Sequence, residues 1–228
     1  DNISPAGSIN SNVVDMAQWV RLQLGKGKYG GKQVISEAAI KEMQTPQSII
    51  RIEGLYPIMY PDAHFLSYGM GWFLSDFRGS KLVEHGGAID GMRALVAMIP
   101  EKNVGVVILT NLNGTVLPQF LSYRIFDSYL GERSTDWAAD GLKKVKAAEA
   151  QAKAAAAKAD AARVMGTKPS LDLKDYAGKY RSEIYGDVEV KVTDGKLTIG
   201  FGPNYDGALE HWNYDTFRVT WKDPVLGK

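Results

Sequence analysis

The residues of this chain best suited to chemistry are the four at His85-Gly86-Gly87-Ala88. Two adjacent glycines at the end of a predicted strand remove both side chains, so another chain or a ligand can lie against the main chain. The N–H groups exposed in this way can donate hydrogen bonds to an oxyanion that develops during acyl transfer. The same glycines are also compatible with a simple bulge or turn. Their spacing alone leaves both interpretations open.

The other histidines do not indicate a metal centre. His64 and His211 each stand without a second ligand at metal-binding spacing, so we interpret them as a loop histidine and a surface histidine. The chain has no cysteine, which excludes a thiolate metal site and a cysteine nucleophile. We therefore expect neither a metal nor a cofactor.

Charge and composition narrow the possible partners. The 27 lysines and arginines nearly balance the 26 aspartates and glutamates, so no net field attracts nucleic acid or an anionic membrane surface. No apolar run approaches the roughly 20 residues of a membrane span. A hydrophobic fraction of 45% is enough for a sizeable core. These features indicate a globular protein whose partners must be inferred from its sites.

The elements around His85 are predicted to form an antiparallel sheet with flanking helices, which is an α+β fold. Aromatic and β-branched runs between turn residues predict about four strands. The stretch from Thr45 to Phe65 has three prolines and no sustained period, which predicts a long loop able to wall a pocket. The predicted strands lie at residues 68–74, 81–85, 92–99 and 104–110, and the predicted helices at residues 13–24, 36–43 and 116–130.

The composition changes at about Trp137. Residues 149–163 are nearly all strong helix formers without a wide apolar stripe, which predicts a semi-rigid helical spacer. Alternating runs on both sides of Asp194-Gly195 then predict a β-hairpin in an all-β unit. About four strands are few for a closed barrel, so we expect this unit to be incomplete. The predicted regions are a sheet domain at residues 1–134, a linker at 135–168 and a barrel-like domain at 169–228.

Three stretches resemble the class C β-lactamases and their esterase and D-peptidase relatives. The run from His85 to Asn111 is similar to the strand, hairpin and strand that carry the third active-site motif of that family. Pro5-Ala6-Gly7 and Tyr68-Gly-Met-Gly-Trp72 resemble two further stretches, and together the three cover about the first 130 residues. The resemblance implies part of a β-lactamase/transpeptidase-like fold. Residues 176–180, 194–197 and 209–217 are similar to a small lipocalin-like barrel appended to many of these hydrolases.

The resemblance implies acyl transfer through an acyl-serine. In the family the serine of Ser-x-x-Lys attacks a carbonyl, and Tyr-x-Asn or Ser-x-Asn provides proton transfer and positioning. Lys-Thr-Gly or His-x-Gly forms the remaining wall of the active site. His85, Gly86 and Gly87 match the last motif, and the Ala88 N–H would be one oxyanion donor. Gly86, Gly87 and Asn113 would contact the substrate, a small molecule or peptide with an ester, amide or β-lactam carbonyl. Asn113 is otherwise a turn residue.

The chain departs from the family in its missing motifs. Neither Ser-x-x-Lys nor Tyr-x-Asn occurs in its 228 residues. Ser8-Ile9-Asn10 fits Ser-x-Asn, but it precedes a predicted helix cap and is interpreted as structural. Because these motifs precede the His-Gly-Gly strand in the family, we expect the chain to begin after them. It would then be inactive alone and would need the missing N-terminal part of the same hydrolase, which by family habit is periplasmic or secreted.

The histidine at position 85 bears on the substrate. An unperturbed histidine, with a pKa of about 6.5, is mostly neutral at pH 7, whereas the lysine found in many relatives is cationic. Weaker recognition of a substrate carboxylate favours ester or peptide hydrolysis over β-lactam hydrolysis. A function of another class stays open, namely a non-catalytic binding module that kept the fold and lost the catalytic half.

Overall fold

The computed structural model describes residues 4–89, 91–131 and 135–223. The chain divides into two compact units, residues 1–149 and 150–228. The domain boundaries at residues 134 and 168 stay predictions, and residue 134 lies outside the described residues.

The first unit is built on a six-stranded antiparallel sheet. A separate short hairpin pairs β1 (Lys28–Tyr29) with β2 (Lys32–Gln33). The strands of the large sheet are β3 (Ser48–Ile50), β4 (Leu66–Tyr68), β5 (Phe73–Phe77), β6 (Ser80–Ile89), β7 (Met92–Ile99) and β8 (Val104–Thr110). They lie in chain order from β3 to β8, each antiparallel to the next. The predicted antiparallel α+β fold is therefore confirmed.

Six α-helices occur in the described residues, and those at residues 13–24, 37–43 and 117–130 lie where the apolar spacing predicts them. They are α1 (Ser4–Gly7), α2 (Val13–Leu24), α3 (Glu37–Met43), α4 (Tyr56–Met59), α5 (Leu117–Leu130) and α6 (Trp137–Ala161). The side chain of Asn12 caps α2 by accepting from the N–H groups of Val14 and Asp15 at 2.9 and 3.0 Å. Ser36 caps α3 in the same way. Such caps satisfy N–H groups that a helix start leaves without partners.

The two faces of the sheet pack against different helices. Successive side chains of a strand point to opposite faces. Leu82 of β6 lies in a buried cluster with aromatic side chains of α5 and with Trp137. Val83 lies in a second cluster with Trp72, against which Trp19 of α2 packs. We call these sides the α5 face and the α2 face. Cover on both faces agrees with the continuously apolar sequence of β8.

The segment from residue 45 to residue 77 differs from the prediction in two places. The predicted loop at 45–65 contains β3 and α4. The run predicted as one strand is two strands, β4 and β5, joined by a tight turn in which the Gly69 N–H donates to the Trp72 carbonyl at 2.8 Å. A Cβ on Gly69 would clash with the carbonyl oxygen of Met43. Glycine therefore lets this turn pack against the end of α3.

The second unit is an open antiparallel meander. Its strands are β9 (Gly178–Ser182), β10 (Gly186–Thr193), β11 (Lys196–Phe201), β12 (Tyr205–Asn213) and β13 (Thr216–Trp221). Asp194 and Gly195 form the predicted hairpin turn, with φ values of 51° and 73° that suit a type I′ turn. The unit expected to be barrel-like is an open sheet in the described residues, because β9 and β13 are opposite edges and do not pair. A barrel with a filled interior takes about eight strands.

The predicted spacer is helical through Ala161, as part of the 25-residue α6. The helix begins inside the core of the first unit. The buried Trp137 ring donates its Nε1–H to Asp127 at 2.6 Å. No helix in the described part of the chain has both the length and the apolar character to cross a membrane.

Candidate active site

Strand β6 extends beyond its neighbour β5 at the end that carries the paired glycines. β5 begins at Phe73, which pairs with Glu84. β6 continues to Ile89 and stays paired with β7 over that length, without a register shift. Residues 85–89 therefore have a strand on one side only, and no other described strand pairs with their second side. We call this second side the open edge. The regular pairing also shows that the glycines form neither a bulge nor a turn.

The main-chain groups of Gly86 and Ala88 face the open edge. Residues of an antiparallel strand direct their N–H and C=O groups alternately toward the two neighbouring strands. The two-residue β5–β6 turn makes Phe77–Ser80 a hydrogen-bonded pair, so the even-numbered residues of β6 face β5. Consistently, the N–H of odd-numbered Lys81 donates toward the β7 side, to Glu101 at 2.9 Å. By the same alternation, the N–H groups of Gly86 and Ala88 are directed into the open edge.

The His85 ring lies over the open edge and is held by two hydrogen bonds. Its Nδ1 lies 2.7 Å from the carbonyl oxygen of Gly86, and its Nε2 lies 3.0 Å from the Tyr68 hydroxyl. A carbonyl oxygen only accepts, so Nδ1 carries the proton, and Nε2 of the neutral ring accepts from Tyr68. The Phe73 ring packs beside the imidazole at 5.6 Å between centroids. These contacts fix both the tautomer and the orientation of His85.

The two glycines leave the open edge accessible. A Cβ at Gly86 would meet only the Ala94 carbonyl oxygen at 3.4 Å, and a Cβ at Gly87 only the Ala94 Cβ at 3.5 Å. Neither glycine has a positive φ, so backbone conformation does not require glycine here. The two glycines instead leave space beside the main-chain N–H groups at the open edge.

A buried polar network that the sequence motifs do not predict lies on the α5 face next to the open edge. The Glu84 carboxylate, only 2% exposed, accepts from the Tyr60 hydroxyl and from Gln119 Nε2, the latter at 2.6 Å. Gln119 also donates to the Tyr123 hydroxyl at 3.0 Å, which in turn donates to the Met59 carbonyl at 2.6 Å. Burial raises the pKa of Glu84 from 4.5 to about 7, against the opposing effect of the hydrogen bonds from Tyr60 and Gln119.

The structure brings four of the five predicted site residues together. His85, Gly86, Gly87 and Ala88 line the open edge. Asn113 lies in the exposed turn between β8 and α5, at the same end of the sheet. β7 lies between β6 and β8, and with neighbouring strands about 4.8 Å apart the end of β8 lies roughly 10 Å from β6. The contact of Asn113 with a substrate stays a prediction.

The described residues contain no group of three or more metal-ligating side chains that could hold a metal ion. Two concave surfaces lie elsewhere, one of about 540 Å³ around His64 and one of about 570 Å³ on the second unit. Neither includes His85 or the glycine pair, so cavity size alone does not mark the open edge.

His64 forms a histidine–carboxylate pair with Asp76. Its Nδ1 lies 2.6 Å from Asp76 Oδ2, and its N–H donates to Asp76 Oδ1 at 2.8 Å. The hydrogen bond and the charge of Asp76 raise the pKa of His64 above 6.5. The pair ties the segment before β4 to β5, which agrees with the interpretation of His64 as a satisfied loop histidine.

We expect the His64–Asp76 pair to stabilise the fold more at acidic than at alkaline pH. Because the folded pKa of His64 is raised, this stabilisation is complete below the unfolded value of about 6.5 and is lost as the pH rises through the folded value. An NMR titration of the His64 ring should give a midpoint above 6.5 that Asp76→Asn moves down. A wild-type midpoint at or below 6.5 would contradict the prediction.

Comparison with known protein families identifies the family to which the first unit belongs. Residues 1–129 match the family described as Beta-lactamase. The chain belongs to the beta-lactamase family. This confirms the resemblance drawn from the residues around His85, within a superfamily of β-lactamase-fold serine hydrolases. Residues 162–227 match a domain of unknown function, DUF3471.

Individual relatives extend well beyond this chain. This chain is 31% identical over 221 residues to Unguisins hydrolase ungD of Aspergillus violaceofuscus. The alignment covers 86% of this chain and 37% of the relative. The chain is 25% identical over 121 residues to Protein flp of Staphylococcus aureus, covering 53% of the chain and 21% of the relative. A solved structure of an octameric penicillin-binding protein homologue from Pyrococcus abyssi superposes with a TM-score of 0.48 at 18% identity, over 92% of the chain and 42% of that protein.

Proposed function

We propose that this chain supplies the oxyanion-binding edge of a serine hydrolase that acts by acyl transfer through an acyl-serine. The observation that carries the proposal is the register of β6, which directs the Ala88 N–H into an edge that no described strand covers. The membership in the beta-lactamase family supports it, because His85-Gly86-Gly87 corresponds to the His-x-Gly motif. The nucleophile, in a Ser-x-x-Lys motif, would come from a segment outside this sequence.

In the proposed reaction the serine oxygen attacks the carbonyl carbon of an ester, amide or β-lactam, and negative charge develops on the carbonyl oxygen. The Ala88 N–H would donate to that oxygen together with the N–H of the serine. The bond from the carbonyl carbon to the leaving oxygen or nitrogen then breaks, and the leaving alcohol or amine takes up the proton of the serine hydroxyl. Water hydrolyses the resulting acyl-serine to the free acid and restores the serine hydroxyl. The space in front of Gly86 and Gly87 would let the substrate lie along the edge, and Asn113 would contact a more distant part of it.

His85 would shape the site as a neutral group. Its Nδ1–H is engaged by the Gly86 carbonyl, and its Nε2 faces the Tyr68 hydroxyl. A neutral ring attracts a substrate carboxylate less strongly than a lysine ammonium at the same place. We therefore propose ester or peptide substrates ahead of β-lactams. A periplasmic or secreted location is part of the same proposal, by family habit.

The test uses the full-length protein that contains this chain, treated with a fluorophosphonate probe and with a fluorescent penicillin. We expect one covalent adduct by intact mass, carried by the serine of an upstream Ser-x-x-Lys and absent when that serine is changed to alanine. A folded full-length protein that forms no adduct with either probe would instead support a non-catalytic binding module.

A further inference from the structure

The buried Glu84 carboxylate is not used by the proposed reaction, yet it lies one residue from His85. Its two oxygens accept from donors on two different elements, Tyr60 at the end of α4 and Gln119 on α5. Both donors are also buried, 3% exposed each. Glu84 thus joins α4, α5 and β6 at one point inside the first unit.

Each oxygen of Glu84 accepts one hydrogen bond. Tyr60 and Gln119 each direct a hydrogen toward Glu84, and the second hydrogen of the Gln119 amide goes to Tyr123. No lysine, arginine or histidine of the described residues forms an ion pair with Glu84. The carboxylate is therefore held by neutral donors alone, at the cost of its burial. We infer that Glu84 is kept in the core because it fixes the positions of Tyr60 and Gln119 relative to β6.

The contacts of Glu84 lie next to the open edge of β6. Glu84 is the last residue of β6 that pairs with β5, so it sits where the edge begins. The Tyr56 ring of α4 packs on Phe73 at 6.2 Å, and the Phe73 ring packs on His85 at 5.6 Å. Through Tyr60 and Tyr56, Glu84 thereby fixes α4 and Phe73 beside His85.

We propose that Glu84 is a positioning residue for the acyl-transfer reaction, which clamps α4 through Tyr60 as a wall of the substrate site and holds β6 in place where its oxyanion-binding edge begins. This inference rests on the proposed function. The groups that face Glu84 are Tyr60 from α4 and Gln119 from α5, with Tyr123 next to Gln119. Ionisation of Glu84 therefore changes the clamp, since a carboxylate accepts from both donors whereas a carboxylic acid has to direct its own proton at one of them.

The first test measures the clamp without any activity. In the full-length protein, hydrogen exchange of the α4 amides, including the Tyr60 N–H that donates to Tyr56, should become about tenfold faster in Glu84→Gln and in Tyr60→Phe. Asp127→Asn is the matched control, because Asp127 is a fully buried carboxylate on α5 that pairs with Arg78 and Trp137 instead. It should lower stability and leave α4 exchange unchanged.

The second test measures positioning in the full-length hydrolase. The rate of acylation by the fluorophosphonate probe, per folded molecule, should fall about tenfold in Glu84→Gln and Tyr60→Phe, because small displacements in a site are costly in rate. The pH profile of acylation should lose an inflection in Glu84→Gln and keep it in Asp127→Asn. If both Glu84→Gln and Tyr60→Phe match Asp127→Asn in rate and profile, the positioning role is overturned. A wild-type protein that the probe never labels would overturn the proposed function itself, whatever the exchange data show.

Discussion

Replacing Ala88 with proline in the full-length hydrolase is expected to slow acylation of the serine by roughly 10²- to 10³-fold. Proline removes the N–H that the strand register directs into the open edge. The N–H lies on the side that no described strand pairs with, so its loss breaks no ladder hydrogen bond in the sheet. The effect should therefore appear in the reaction rate, measured with the fluorophosphonate probe, and only weakly in the thermal midpoint of this chain.

The matched control at the same position is Ala88→Ser. Serine keeps the N–H and places a small side chain on an exposed part of the strand, so acylation should stay within a few-fold of the wild-type rate. Rates within a few-fold of the wild-type rate in both the proline and the serine variant would show that the Ala88 N–H is not an oxyanion donor. A large fall in both would instead point to the side-chain space at this position.

The sheet could be predicted where the pattern of apolar residues determines it. The predicted strands at residues 92–99 and 104–110 match β7 and β8, because an apolar run bounded by turn residues has few other ways to bury itself. The strand predicted at 81–85 extends to Ile89. Residues 85–89 are exposed and include two glycines, so they carry no burial pattern. Pairing with β7 alone makes them a strand.

The sequence pattern does not predict whether the sheet of the second unit is open or closed into a barrel. Alternation in β10 and β11 predicts the strands and their hairpin correctly, because successive side chains of a strand point to opposite faces of the sheet. Whether a sheet closes depends on the number, tilt and stagger of its strands, none of which the alternation specifies.

Half of the candidate site could be found from sequence alone. The His85-Gly86-Gly87-Ala88 run is contiguous and matches a motif. The partners of that run are distant, since Tyr68 is 17 residues from His85 and Tyr60 is 24 residues from Glu84. Only the packed structure shows these contacts. The one sequence signal for the network was a glutamate inside an apolar strand, a residue type that is almost never fully buried without partners.

We expect the stability of this chain to fall as the pH rises toward neutrality, because of Glu84. Its folded pKa of about 7 lies above the ordinary value of 4.5, so the folded state binds its proton more tightly than the unfolded state does. The associated stabilisation is complete below about pH 4.5 and is lost as the pH rises through about 7. The shift corresponds to about 3 kcal/mol in the free energy of unfolding. Urea denaturation at several pH values measures it.

Comparison with Glu84→Gln separates this contribution from other titrating groups. Asp76 and Asp215 have lowered pKa values and His64 a raised one, so the wild-type curve contains opposing slopes. These groups also titrate in the variant, and their contributions cancel in the difference between the two proteins. Glutamine cannot ionise, and when its amide oxygen accepts from Gln119 its amide nitrogen faces the Tyr60 hydroxyl, which then has to accept instead of donate at every pH. The difference in unfolding free energy should therefore favour the wild-type chain most at low pH and shrink by about 3 kcal/mol toward pH 8. Parallel curves across that range would mean that Glu84 does not change its protonation between the folded and unfolded states near neutrality, and that the network holds a carboxylate with an ordinary pKa.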